Sequence, residues 1–212
     1  NYSLELQRWI YPCLTVAIDK ELAGETAPDV DRCIEEFIEQ IADSSFAWGY
    51  KGWKLAIKGR WQEAIALLET ATHQGEVPVR AIANLGVAWE RIGRNDAAID
   101  IYRKKMDSDF CLYRLGSLLG DRGEWMEARS HLEAAIKLNP NYAEAYHNLG
   151  WVLYHLIGEG GSNFMEMRSA YLKAVELYEI EGKFDLATEI KRGFELIDIE
   201  LENNSIMNNY GN

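Results

Sequence analysis

Residues 109–140 read DFCLYRLGSLLGDRGEWMEARSHLEAAIKLNP, and their spacing decides the fold. Leu112, Leu115 and Leu119 recur at intervals of three and four, the stripe of an amphipathic helix. Gly123 interrupts, and a second stripe follows through Ala128, Leu132 and Ala135 until Pro140 stops it. Two short helices joined by a turn are predicted. With Asp109 counted as position one, Gly116 at position eight is expected to face Ala128 at position twenty. Two small residues at a crossing let helices approach closely, whereas larger side chains would hold them apart. After Pro140, Asn141 is the expected N-cap of the next helix, with Glu144 three residues on in a box-like arrangement.

The pattern recurs on both sides. Starting at Val79 it gives Ile82, Leu85, Gly86, Trp89, Gly93, Ala98 and Tyr102, and starting at Ser45 it gives Trp48, Gly52, Leu55, Gly59, Ala64, Leu68 and Ala71. A copy starting at Ala143 gives Tyr146, Leu149, Gly150 and Leu153. Met167, Tyr171 and Ala174 complete it once five extra residues are admitted around Gly158 to Asn163. From Gly52 to Gly86 is 34 residues and from Gly116 to Gly150 is 34 again, but from Gly86 to Gly116 is only 30. The junction near Met106, Asp107 and Ser108 has therefore lost about one helical turn, which is expected to alter the stacking there.

In these residues the chain resembles the tetratricopeptide repeat. The resemblance implies an all-α fold, a right-handed α-solenoid of helix-turn-helix repeats at 45–78, 79–108, 109–142 and 143–180. It places N-terminal helices, readable as a degenerate repeat, at 1–44, a capping helix at 181–202 and a polar tail, expected to be disordered, at 203–212. Within the N-terminal segment, helices are expected from Pro12 to Leu22 and from Asp29 to Ala42, with Trp9-Ile10-Tyr11 tucked under the first repeat. Such a solenoid implies a non-catalytic protein–protein interaction module, an adaptor or assembly factor that holds a peptide segment or helix of a partner in its concave groove.

The family lines that groove with positions two, five, six, nine, twelve and thirteen of each first helix, which the packing pattern leaves free. The candidate peptide-binding residues are Tyr50, Trp53, Asn84, Tyr113, Arg114, His147, Asn148, Trp151 and Tyr154. Asn84 and Asn148 share position six, where an amide can donate to and accept from a ligand backbone. Trp53 and Trp151 share position nine and suit apolar or cationic anchors, unless the N-terminal helices or the C-terminal tail cover them. Trp48, Trp61, Trp89 and Trp125 fall on packing positions and are expected in the core. The clamp by which some family members hold carboxylate termini is incomplete, since Gly49, Trp53 and Phe110 occupy its other positions. Two further readings stand beside the interaction module: a self-associating structural solenoid, hence a homo-oligomer, and a small-molecule-sensing regulatory domain.

Charge and composition narrow the partners. Residues 1–44 carry a net charge of −7 and residues 176–202 a net charge of −6, so the total of −12 sits at the two ends of a nearly neutral repeat body. Acidic ends solvate a solenoid's termini or steer a basic partner, and they repel nucleic-acid phosphates. No apolar run approaches the ~20 residues of a membrane span. Cys13, Cys33 and Cys111 form no metal or redox motif and read as free thiols of a reducing compartment, with a Cys13–Cys33 disulfide between adjacent N-terminal helices as the alternative, so a cytoplasmic location is expected. His147 and His155 share a stripe, but eight residues of helix hold them ~12 Å apart, too far for one metal. No nucleophile motif, phosphate-binding loop or cofactor signature is present, so no catalytic residue, metal site or cofactor is expected. The chain begins at Asn1 without Met, which leaves a removed leader open.

Overall fold

A computed structural model describes residues 35–36, 38–39, 41–73, 79–157 and 164–210, with residues 198–210 described as helical backbone alone. The expected Pro12 to Leu22 helix, the Trp9-Ile10-Tyr11 turn, Cys13, Cys33 and the 158–163 insertion lie outside these residues. Nine helices have described ends: α1 Ser45–Ile57, α2 Trp61–His73, α3 Val79–Arg91, α4 Asn95–Tyr102, α5 Asp109–Asp121, α6 Trp125–Leu138, α7 Ala143–His155, α8 Phe164–Ile180 and α9 Phe184–Tyr210. No described residue lies in a strand, and the all-α expectation is borne out. The contacts divide the chain into two compact units, Asn1–Ala81 and Ile82–Asn212, with the boundary inside α3.

In the first unit α1 packs on α2. Ser44 caps α1, its Oγ accepting from the Ala47 N–H at 3.1 Å, so one of the unpaired N-terminal amides of the helix is satisfied. The turn to α2 is made by Gly59 at φ 72°, a left-handed conformation costly for residues with a Cβ. Ile38, Ala47, Tyr50 and Trp53 form a buried cluster that Ile41 and Phe46 flank. Trp48, expected in the core, is only half-buried, yet its indole nitrogen is buried with no hydrogen-bonding partner among the described residues.

The second unit repeats the hairpin. Gly93 and Gly123 take φ 76° and 78°, and the residue after each donates back to the preceding helix, Arg94 N to Trp89 O and Glu124 N to Leu119 O, both at 2.9 Å. Within each hairpin the position-eight glycine is where the helices touch. A Cβ on Gly116 would lie 2.7 Å from Leu132 Cγ and 3.1 Å from the Ala128 carbonyl oxygen, and one on Gly86 would lie 2.2 Å from the Tyr102 ring. The partner is thus chiefly the position-twenty-four side chain, not the position-twenty alanine expected from sequence. The alanine contributes its backbone, and its small side chain lets that backbone come near.

Two boundaries differ from expectation. The four residues missing from the short junction come out of α4, which has 8 residues against 13 in α2 and 14 in α6; Ser108 then caps α5 through Cys111 N at 3.3 Å. Before α7 the N-cap is Tyr142, with no side-chain cap bond. Asn139, the C-cap of α6, accepts from Asn141 N at 3.2 Å in the connecting turn and donates to Asp109 at 3.0 Å. Glu144 instead pairs with Lys183, the residue before α9, at 3.1 Å.

α8 packs on both α7 and α9. Its turn into α9 copies those inside the repeats: Gly182 has φ 76°, Lys183 N donates to Tyr178 O at 2.8 Å, and Ala187 is buried five residues beyond the glycine, as Ala128 is beyond Gly123. α9 then runs as helix to Tyr210, through the segment expected as a tail. Residues 203–210 hold no Gly or Pro, and adding residues to a formed helix costs far less than nucleating one.

Candidate functional site

Seven of the nine candidate residues lie on α3, α5 and α7 in the second unit. Tyr50 and Trp53 belong to the first unit, where they are only 8% and 9% exposed. Their rings pack 5.7 Å apart within the cluster around Ile38. Trp53, expected either to anchor a ligand or to be covered by the N-terminal segment, packs among Ile38, Ala47 and Tyr50. The core assignment of the other tryptophans is corrected as well, since Trp61, Trp89 and Trp125 are half-buried.

An open cavity of about 490 Å³ lies between α3 and α5, lined by Val87, Glu90, Arg91, Phe110, Tyr113 and Arg114. These occupy positions nine, twelve and thirteen of one repeat and two, five and six of the next, all on the stripe that packing leaves free. Glu90, absent from the sequence-derived site, organises it. Arg114 donates through Nε to Glu90 Oε1 at 3.1 Å and through Nη2 to Glu90 Oε2, while the buried Tyr102 hydroxyl donates to Glu90 Oε1 at 2.6 Å. Burial alone would lower the Arg114 pKa, but the hydrogen bonds and charge of Glu90 win and hold it above its ordinary value. Burial, reinforced by the Glu90 charge, pushes the Tyr102 hydroxyl up, so it stays a donor. Arg114 also lies over the Tyr113 ring, 5.7 Å from its centroid, and Tyr113 packs on Tyr142 at 4.9 Å.

Asn84 on α3 and Asn148 on α7 are half-buried, and neither amide has a hydrogen-bonding partner among the described residues. His147 is half-buried beside Tyr171, ring centroids 5.9 Å apart. Its pKa is lowered by burial, with Glu144 and Glu189 pulling the other way.

Trp151, Tyr154, His155 and Trp125 form an aromatic group at the end of α7. Trp125 and His155 stack with centroids 4.1 Å apart and planes 8° from parallel. Trp151 stands edge-on to both. A Cβ on Gly120 of α5 would lie 2.8 Å from Trp151 Cζ3, so that glycine is the notch into which the indole fits. Its signal was legible: a glycine inside a helix costs about 1 kcal/mol relative to alanine, and Gly120 sits within α5 with no turn to make.

Among the described residues no His, Cys, Asp or Glu cluster could hold a metal ion, and no helix is long and apolar enough to cross a membrane. Cys111 is buried and free.

Comparison with known proteins places these features. A tetratricopeptide repeat model matches residues 55–109, and a second model, described as TPR repeat, matches residues 116–156. The photosystem I assembly protein Ycf3 of Acaryochloris marina (strain MBIC 11017) is 28% identical over 106 residues, which cover 50% of this chain and 57% of that protein. The chain thus spans little more than half the length of this relative. The crystal structure of MamA is 26% identical with a TM-score of 0.53, covering 81% of this chain and 97% of that one. YrrB, described as a TPR protein with an unusual peptide-binding site, is 19% identical with a TM-score of 0.57, covering 85% and 91%, a likeness of fold alone. Proteins built from such repeats mediate protein–protein interaction. With position-eight glycines, left-handed turn glycines and paired helices in that register, residues 55–109 and 116–156 carry tetratricopeptide repeats.

Proposed function

We propose that α3, α5 and α7 hold a segment of a partner protein along their free stripe, and that the chain serves as an adaptor or assembly factor without catalysis of its own. The observation that carries this reading is the open cavity between α3 and α5, whose lining residues all sit at positions that packing does not use. Asn84 and Asn148 supply unspent amides for the ligand backbone. Arg114, oriented by Glu90, offers its outer guanidinium edge, and Tyr113 and Phe110 offer apolar area at low entropic cost. The similarity to a protein named for assembly supports the assembly-factor reading. A cytoplasmic setting agrees with a buried free thiol at Cys111.

Capture from native lysate tests it, with wild-type protein beside the Asn84→Ala, Asn148→Ala double variant. The wild type is expected to retain a discrete partner and the variant to lose it while keeping its helix content by circular dichroism. Equal capture by both proteins would remove the groove assignment.

A further inference from the structure

We infer that the aromatic corner at the C-terminal end of α7 is a cation-binding subsite, normally filled by the chain's own His155, that takes a Lys or Arg side chain of the bound segment. The inference rests on the groove reading for the claim that the cation belongs to a peptide.

The geometry is that of a site with its occupant in place. The indoles of Trp125 and Trp151 meet at 77° with centroids 5.2 Å apart, which makes two adjoining walls. Tyr154 stands at 76° to the His155 ring, 5.3 Å away, and closes a further side. Between them lies the imidazole of His155, flat against Trp125 and edge-on to Trp151. The faces of aromatic rings carry the negative part of their quadrupole, so a corner of indoles attracts a cation placed over them.

The walls and the occupant differ in mobility. Trp151 is wedged into the Gly120 notch of α5, where a methyl group would collide with it, and Trp125 begins α6. Trp151 cannot leave without shifting a helix contact, and Trp125 packs against it. His155 is the exposed member, at the last residue of α7, and turning about its own side-chain bonds takes it out.

The surroundings favour positive charge. α5 ends at Asp121, one residue past the notch, and α7 ends at His155, so the negative ends of two helix dipoles lie at the corner against the one positive end of α6, which Trp125 begins. Asp121 is exposed, and its carboxylate has no hydrogen-bonding partner among the described residues. The chain's net charge of −12 attracts cations at longer range. Trp151 and Tyr154 belong to the groove stripe of α7, so a peptide lying along that stripe can present a basic side chain here.

Choline and its neutral carbon isostere, 3,3-dimethyl-1-butanol, separate cation recognition from simple apolar binding, and N-acetyl-arginine methylamide stands in for the peptide side chain. Each is titrated into the full chain, wild type and His155→Ala, while the indole N–H resonances of Trp125 and Trp151 are followed by NMR. Those resonances are assigned with Trp125→Phe and Trp151→Phe variants. The expected result is saturable movement of both indoles with the two cations and none with the alcohol. Removal of the occupant should tighten cation binding on the order of three- to tenfold. The inference is overturned if neither wild type nor a folded His155→Ala variant responds to the cations, or if the neutral isostere moves the indoles equally. Partner capture that depends on Asn84 and Asn148 without any cation response would also overturn it and leave the groove standing. A cation response without partner capture would do the reverse.

Discussion

Glu90 on α3 and Arg114 on α5 form a two-pronged ion pair between consecutive repeats, with side chains only 11% and 28% exposed. The pair sits at the shortened junction, where α4 ends at Tyr102 and lacks the further turn that α2 and α6 possess. Its third member is that same Tyr102, whose ring fills the space beside Gly86 while its hydroxyl bonds Glu90. Removing one partner would strand the other's charge in a partly dry setting. Arg114→Ala is therefore expected to cost about 2 kcal/mol, and the Glu90→Ala, Arg114→Ala double-mutant cycle to give a coupling of about 1–2 kcal/mol in urea titrations. A coupling near zero would mean that the pair contributes nothing to joining the repeats.

Glycines of three kinds should separate by sign. Gly116→Ala puts a methyl group against Leu132 and the Ala128 backbone and should destabilise by about 2–3 kcal/mol. Gly123→Ala, at φ 78° with its nearest neighbour 3.8 Å from the added Cβ, should cost only about 1–2 kcal/mol for the left-handed backbone. Gly193 lies inside α9 with nothing within 4 Å of an added Cβ, so Gly193→Ala should stabilise by about 0.5–1 kcal/mol. Thermal melts of the three variants should reproduce this order.

Trp53→Ala distinguishes a core residue from a ligand contact. The ring packs with Tyr50 and Ile38, and truncating a buried tryptophan costs about 3–5 kcal/mol. Hydrogen exchange should show loss of protection confined to α1 and α2. Unchanged protection with weakened partner capture would return Trp53 to the groove.

Acid should act through His147. Burial holds its pKa below the ordinary value, so the unfolded chain takes up a proton first as pH falls. The stability it contributes is whole above about pH 6.5 and is lost on acidification from there through the lowered folded value. Urea midpoints at about pH 7.5 and about pH 5.5 should therefore fall further for wild type than for His147→Gln, since the variant has no imidazole to protonate. Equal falls would assign the acid sensitivity to other groups.

The helices, their pairing and the turn glycines were legible because each rests on local spacing. Gly52, Gly86, Gly116 and Gly150 announce their crossings, but Leu68, Tyr102, Leu132 and Tyr171 answer from position twenty-four, once the insertion before α8 is allowed, and not the alanine expected at position twenty. The groove was legible in part, because a residue at a free position has no packing duty, and Tyr113 and Arg114 do line a cavity. What covers a free position depends on elements far away in sequence. The packing of Trp53 with Ile38 was hidden because Ile38 lies outside the repeat pattern, and Glu90 was missed because its role comes from Arg114, 24 residues on. The aromatic corner needed coordinates too, since Trp125 belongs to α6 and Gly120 to α5.

The Gly182 turn makes α8 a helix read in two frames. Counted from Ala143, with the inserted residues allowed, it is the second member of a hairpin and gives Tyr171 to Gly150. Counted from Arg168, it is the first member of another, with Tyr178 preceding Gly182 and Ala187 as Leu119 precedes Gly123 and Ala128. A one-residue insertion in α2 or α6 disturbs one such pairing. In α8 the same insertion garbles both messages at once, which leaves this helix the least freedom to drift in length.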